Sequence, residues 1–100
     1  DPTKAEVFTL RLKLPNNYTI QPHYHAQWEH ITVISGLFHI GMGDTFRAGG
    51  WNELKPGSFI AMQPGMRHFV HTVGETVVQL HAMGPWVVTY VNRADDPRNR

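Results

Sequence analysis

HYHAQWEHITVISG, residues 23–36, decides how the rest of the chain is read. His30 to Ser35 (HITVIS) is β-branched and apolar, Gly36 interrupts it, and Leu37 to Met42 (LFHIGM) resumes, a pattern that predicts a hairpin turning at Gly36. Upstream, His23 and His25 stand two apart. In extended backbone such side chains leave one face with Cα atoms roughly 6–7 Å apart, so both imidazoles can reach one ion. Glu29 shares their parity, but a straight strand would carry it roughly 13 Å from His25, near the limit for sharing an ion at bonds of about 2 Å. Ala26, Gln27 and Trp28 are therefore expected to bend the chain and bring Glu29 back over the same ion.

A further ligand must come from elsewhere, and His68 is the best candidate. It follows the Pro64-Gly65 turn, with apolar Met66 and Val70 on its own parity. Three imidazoles and one carboxylate suit one divalent transition metal per chain (Fe, Mn, Ni, Co, Cu or Zn), and without thiolates the set does not choose among them. On an ion that prefers five or six ligands, four leave room for water or substrate, the opening a catalytic metal needs.

Outside this stretch nearly every piece reads as extended. Val7 to Leu14 (VFTLRLKL) alternates as a half-buried strand, and Pro15-Asn16-Asn17 is a turn before Tyr18 to Ile20. Residues 43–55 are polar and glycine-containing, a long loop. Ser58 to Met62, Met66 to Thr72, Thr76 to Ala82 and Trp86 to Val91 follow as short strands, with breaks at Pro64-Gly65, Gly74-Glu75 and Gly84-Pro85. Such a series predicts an all-β antiparallel sandwich or barrel. One domain covers 1–100, with its core at about 7–91, and NRADDPRNR, residues 92–100, forms a polar tail that packs loosely if at all.

Composition removes several function classes. Net charge is +1 with neither sign gathered into blocks, which gives no electrostatic footprint for nucleic acid or an anionic membrane. No apolar run approaches the length of a spanning helix. The chain opens at Asp1-Pro2 without a signal sequence, as expected of a processed or trimmed, soluble protein, cytoplasmic or exported. With no cysteine, disulfides, thiolate ligands and cysteine nucleophiles are excluded. Seven histidines make metal or acid–base chemistry the leading theme.

The residues resemble the cupin superfamily. Its first motif, G(X)5HXH(X)3-4E(X)6G, is matched from His23 through His25 and Glu29 to Gly36, with Asn17 where the leading glycine would fall; asparagine shares glycine's tolerance for left-handed turns. The second, G(X)5PXG(X)2H(X)3N, is met by Gly57, Gly65 and His68, with Gln63 in place of proline and Thr72 in place of asparagine. The resemblance implies a small jelly-roll barrel, or double-stranded β-helix, with metal ligands His23, His25, Glu29 and His68. It implies a range of chemistries in which the metal polarises an oxygen or activates dioxygen: dioxygenase-type oxidoreduction first, then isomerisation and lyase reactions. The alternative is a non-catalytic module that binds or senses metal or a small ligand.

Other residues carry secondary expectations. His81, with Gln79 on its parity, is read as an outer partner of the metal ligands or a proton shuttle in the barrel mouth, against a partly buried histidine satisfied by backbone. His30 and His71 should face outward, and His39 has no evident partner. Trp28, Phe38, Met42, Phe59, Met62 and Phe69 line an apolar pocket or are plain core. Trp51 is a lid over the mouth or part of an interface. The open edge of Val7 to Leu14 is expected to pair with a second copy as a homodimer.

Overall fold

A computed structural model describes residues 1–99. Seven strands run in the order β1 Val7–Leu14, β2 Thr19–Tyr24, β3 Glu29–Met42, β4 Asn52–Leu54, β5 Phe59–Met62, β6 His68–Met83 and β7 Thr89–Tyr90, followed by two 3₁₀ turns, Arg93–Asp95 and Pro97–Asn99. All strand pairings are antiparallel. β3 and β6 form the spine: their ladder runs from Glu29 opposite Ala82 to Met42 opposite His68. The first part of β3 also pairs β5 and its last part β4, while β6 pairs β1 along residues 76–83 and β2 along residues 68–71. One seven-stranded sheet thus branches about its two longest strands and curls into an all-β barrel of jelly-roll type. No helix among the described residues is long and apolar enough to cross a membrane.

The core is the inward face of these strands. Leu14, Ile31, Val33, Phe38, Ile40, Met62, Val70, Val78 and Leu80 form one buried cluster, and alternation along each strand puts polar residues outside. In β3 the inward residues are Glu29, Ile31 and Val33, then Phe38 and Ile40. The register slips between Val33 and Leu37, and this change of parity is what a β-bulge does.

Several expected boundaries are corrected. Gly36 turns no hairpin: it sits at φ +81° inside the continuous β3. Nor does Gly74-Glu75 end a strand, because β6 passes through Gly74 at φ +74°. The long loop after Met42 contains β4, paired with Phe38 to Ile40, and of Trp86 to Val91 only Thr89–Tyr90 is a strand. The polar tail is tied down: Arg98 bonds the Asp96 carboxylate and donates to the Val88 carbonyl; Arg100 lies outside the described residues. The turn before β2 is as read, with Asn17 left-handed at φ 54°. Thr72 fixes it, its hydroxyl donating to Pro15 O at 2.6 Å and accepting from Tyr18 N at 2.9 Å.

Candidate metal centre

His23 ends the inward face of β2, His25 follows two residues on, the chain bends over residues 26–28, and Glu29 opens β3. His68 opens β6 directly opposite His23. All four side chains are buried. One ring nitrogen from each of His23, His25 and His68 lies within 4.8 Å of the others. Glu29 stands beside this trio, with Oε2 3.4 Å from His25 Nε2. The two distant turns therefore converge as the spacing and parity predicted.

Backbone carbonyls orient the rings. His23 Nδ1 donates to Gln21 O at 2.7 Å, His25 Nδ1 to Val87 O at 2.9 Å and His68 Nδ1 to Met66 O at 3.0 Å. A carbonyl only accepts, so each Nδ1 carries the proton and each neutral ring keeps its lone pair on Nε2, the arrangement of metal-ligating histidines. Burial, with the neighbouring His68 adding to it, lowers the His23 pKa to about 3; burial lowers that of His68 to about 4. Both rings are neutral at neutral pH, with Nε2 free to ligate. Burial pushes the Glu29 carboxyl up, opposed by His25 and by the Trp86 hydrogen bond. His25 Nε2 and Glu29 Oε2 face each other at 3.4 Å, close enough for both to reach one bound cation. The donor set fits a divalent transition ion.

Above the ligands lies a cavity of about 110 Å³, room for several waters or a compact organic molecule. Its walls are mainly apolar, including Leu12, Ile20, Phe38 and Val88, with Tyr18 and Tyr90 as further residues able to hydrogen-bond.

The structure places the remaining expected residues elsewhere. His81 is exposed on the outer face, its Nδ1 2.6 Å from Thr9 Oγ1, and Gln79 accepts from Arg11 Nε there. Neither lines the cavity. In β6 the even-numbered residues from His68 to Ala82 stay inward, so 79 and 81 must point out. Trp28, Met42 and Phe59 are exposed at 50%, 43% and 58%, which removes them from the pocket; Met62 is core, and Phe69 is buried against Phe46 on the far side of the sheet. His39 is neither exposed nor alone: Nε2 meets Glu53 Oε1 at 2.9 Å and Nδ1 meets His71 Nδ1 at 3.2 Å. Trp51 lies over those two rings, not over the mouth.

Trp86 is the residue the sequence reading missed. Its indole Nε1 donates to Glu29 Oε2 at 2.9 Å and its ring lies against His25, centroids 5.3 Å apart and planes 14° apart. Its only local signal was a large aromatic just after Gly84-Pro85.

Comparison with known proteins agrees with this geometry: the family model described as Cupin domain matches residues 10–84. The chain belongs to the cupin family. Among solved structures, this cupin is similar to the polyketide cyclase RemF from Streptomyces resistomycificus (TM-score 0.75, 21% identity, covering 94% of this chain and 66% of that one). It is similar to an oxalate oxidase (TM-score 0.70, 21% identity, 85% and 46%) and to the DMSP lyase DddQ from Ruegeria pomeroyi DSS-3 (0.67, 16%, 82% and 40%). This cupin therefore spans about half or less of the oxidase and the lyase. At such identities the likeness is one of fold. No curated protein matches the chain.

Proposed function

We propose that this cupin binds one divalent transition metal through His23, His25, His68 and Glu29 and acts as a metal-dependent enzyme on a small organic molecule held in the cavity above them. The single observation that carries the reading is the shared tautomer of the three buried histidines, each Nδ1 spent on a carbonyl. Dioxygenase-type oxygen chemistry ranks first and isomerase or lyase chemistry next; neighbours of the same fold include an oxidase, a cyclase and a lyase. A bound metal would supply Lewis acidity or a site for dioxygen. The chain's own residues do the rest: apolar walls seat the substrate and exclude water, Tyr18 and Tyr90 offer polar contacts, and the ligands fix its reacting end.

One observation favours a second reading, a non-catalytic metal-binding or sensing module. Apart from the ligands, the titratable side chains lining the cavity are Tyr18 and Tyr90, so no separate carboxylate or histidine stands ready as a general base. Metal analysis of the purified chain, followed by turnover with dioxygen and a panel of phenolic and diketone substrates, separates the two. One metal per chain, lost in His68→Ala, supports the site; turnover supports the enzyme, and metal without turnover supports the module. Full retention of metal in His68→Ala would overturn both.

We also propose a homodimer. Among the described residues β1 pairs only with β6, which leaves its other edge open, and the outer face of the same end of the barrel carries the exposed apolar residues Val7, Trp28 and Met83.

A further inference from the structure

Trp86 reaches two of the metal-binding side chains at once while offering no lone pair of its own, since an indole N–H only donates. One end of the contact is a hydrogen bond to Glu29 Oε2, the other a stacked ring against His25. The same short segment supplies Val87 O, which accepts from His25 Nδ1. His25 is thus held in plane by residue 86 and in tautomer by residue 87.

Trp86 in turn is seated by the start of the chain. Its backbone N–H donates to Pro2 O at 2.7 Å, and Gly84 N donates to Glu6 O at 2.9 Å. Phe8 meets the indole edge-on at 6.3 Å. At Gly84 a Cβ would overlap the Lys4 carbonyl, so only glycine lets the two backbones come this close. Residues 2–8 and 84–87 form one clasp, and the indole is its inner face.

We infer that Trp86 is a positioning residue: its N–H fixes the orientation of the Glu29 carboxylate through Oε2 and its ring fixes the plane of His25, so that both groups would be presented to a bound metal already oriented. This rests on the metal-binding reading proposed above. A carboxylate freed of that hydrogen bond can rotate to chelate through both oxygens, which changes the coordination number of the ion.

The test uses the full chain loaded with cobalt(II), whose visible absorption reports coordination number. Trp86→Phe keeps an aromatic ring against His25 and removes the N–H. It is expected to change the band intensity and to weaken cobalt binding by about ten- to hundred-fold, measured by chelator competition. Glu29→Gln is made alone and together with Trp86→Phe. If Trp86 acts through the carboxylate, the double variant matches Glu29→Gln alone; if Trp86 is merely structural, the two effects add. Thermal unfolding of the chelated variants checks that each folds. An unchanged spectrum in Trp86→Phe, or additive effects in the double variant, overturns the inference while leaving the metal site intact. A parent chain that takes up no cobalt overturns the metal-binding reading and this inference with it.

Discussion

His39 and His71 meet edge to edge on the outside of the barrel, Nδ1 to Nδ1 at 3.2 Å, with the indole of Trp51 stacked across both rings at 4.7 and 4.9 Å. Glu53 of β4 closes one end of the chain of contacts and Asn17 the other, through His71 Nε2 at 2.8 Å. Four separate segments are pinned at this point, on the opposite face of the sheet from His23, His25, Glu29 and His68.

Replacing His39 by alanine therefore opens a buried polar gap and leaves Glu53 and His71 short of a partner. The expected cost is about 1–3 kcal/mol, a fall in melting temperature of several degrees, with metal content unchanged. Thermal unfolding and metal analysis of one preparation check both halves. Loss of metal in this variant would mean that the outer cluster and the ligands are coupled after all.

The metal-free protein should lose stability in mild acid. His23 and His68, with pKa values lowered to about 3 and about 4 from 6.5 by burial, bind no proton in the folded state where the unfolded chain already does. Their contribution is complete above pH 6.5 and is lost progressively as pH falls from there toward the folded values. Glu29 works the other way, since its raised pKa favours the folded state below the ordinary 4.5 and that gain fades as pH rises through the raised value. Through the two histidines, with Glu29 offsetting part of the effect, the unfolding free energy of chelated protein from urea titrations should fall between pH 7 and pH 5 by an amount on the order of a few kcal/mol. A flat profile would show that the rings are not buried neutral.

Gly36→Ala should be costly for its size. The residue sits at φ +81°, and an added Cβ would overlap Thr76 Oγ1 and come within 2.5 Å of the Glu75 carbonyl oxygen. Strain of about 1–3 kcal/mol follows from the backbone alone, and the clash adds to it. Denaturant unfolding reads the loss; a neutral substitution would contradict the close approach of β3 to β6.

The proposed dimer predicts a two-chain species in sedimentation velocity, and Val7→Lys with Trp28→Lys should shift it to monomer because both side chains are exposed on the outer face that β1, β6 and the start of β3 share. A monomeric parent would refute the pairing.

What was legible in the sequence was local. Period-two spacing put His23 and His25 on one face, and turn residues before His68 located the partner segment, because both signals depend on neighbours along the chain. Glycine was ambiguous: Gly36 and Gly74 were read as strand ends, yet each sits at positive φ inside a continuous strand, where a bulge and a turn use the same residue type. His81 and Gln79 point outward because β6 carries its alternation unbroken from His68 through Gly74, with the even-numbered residues inward. Trp86 and the His39–His71 pair were invisible because their partners lie 57 and 32 residues away, and no local pattern encodes such meetings.

Glu29 begins β3 and His68 begins β6, and in the antiparallel ladder these two residues sit at opposite ends of the spine. They line one cavity only because the ladder wraps round on itself. An ion held there, as proposed, would work as a rivet closing a hoop, joining the two ends of the longest band in the molecule. Such an ion would tie both ends of that band together, so its removal should loosen amide protection along the whole β3–β6 ladder and not at one turn alone.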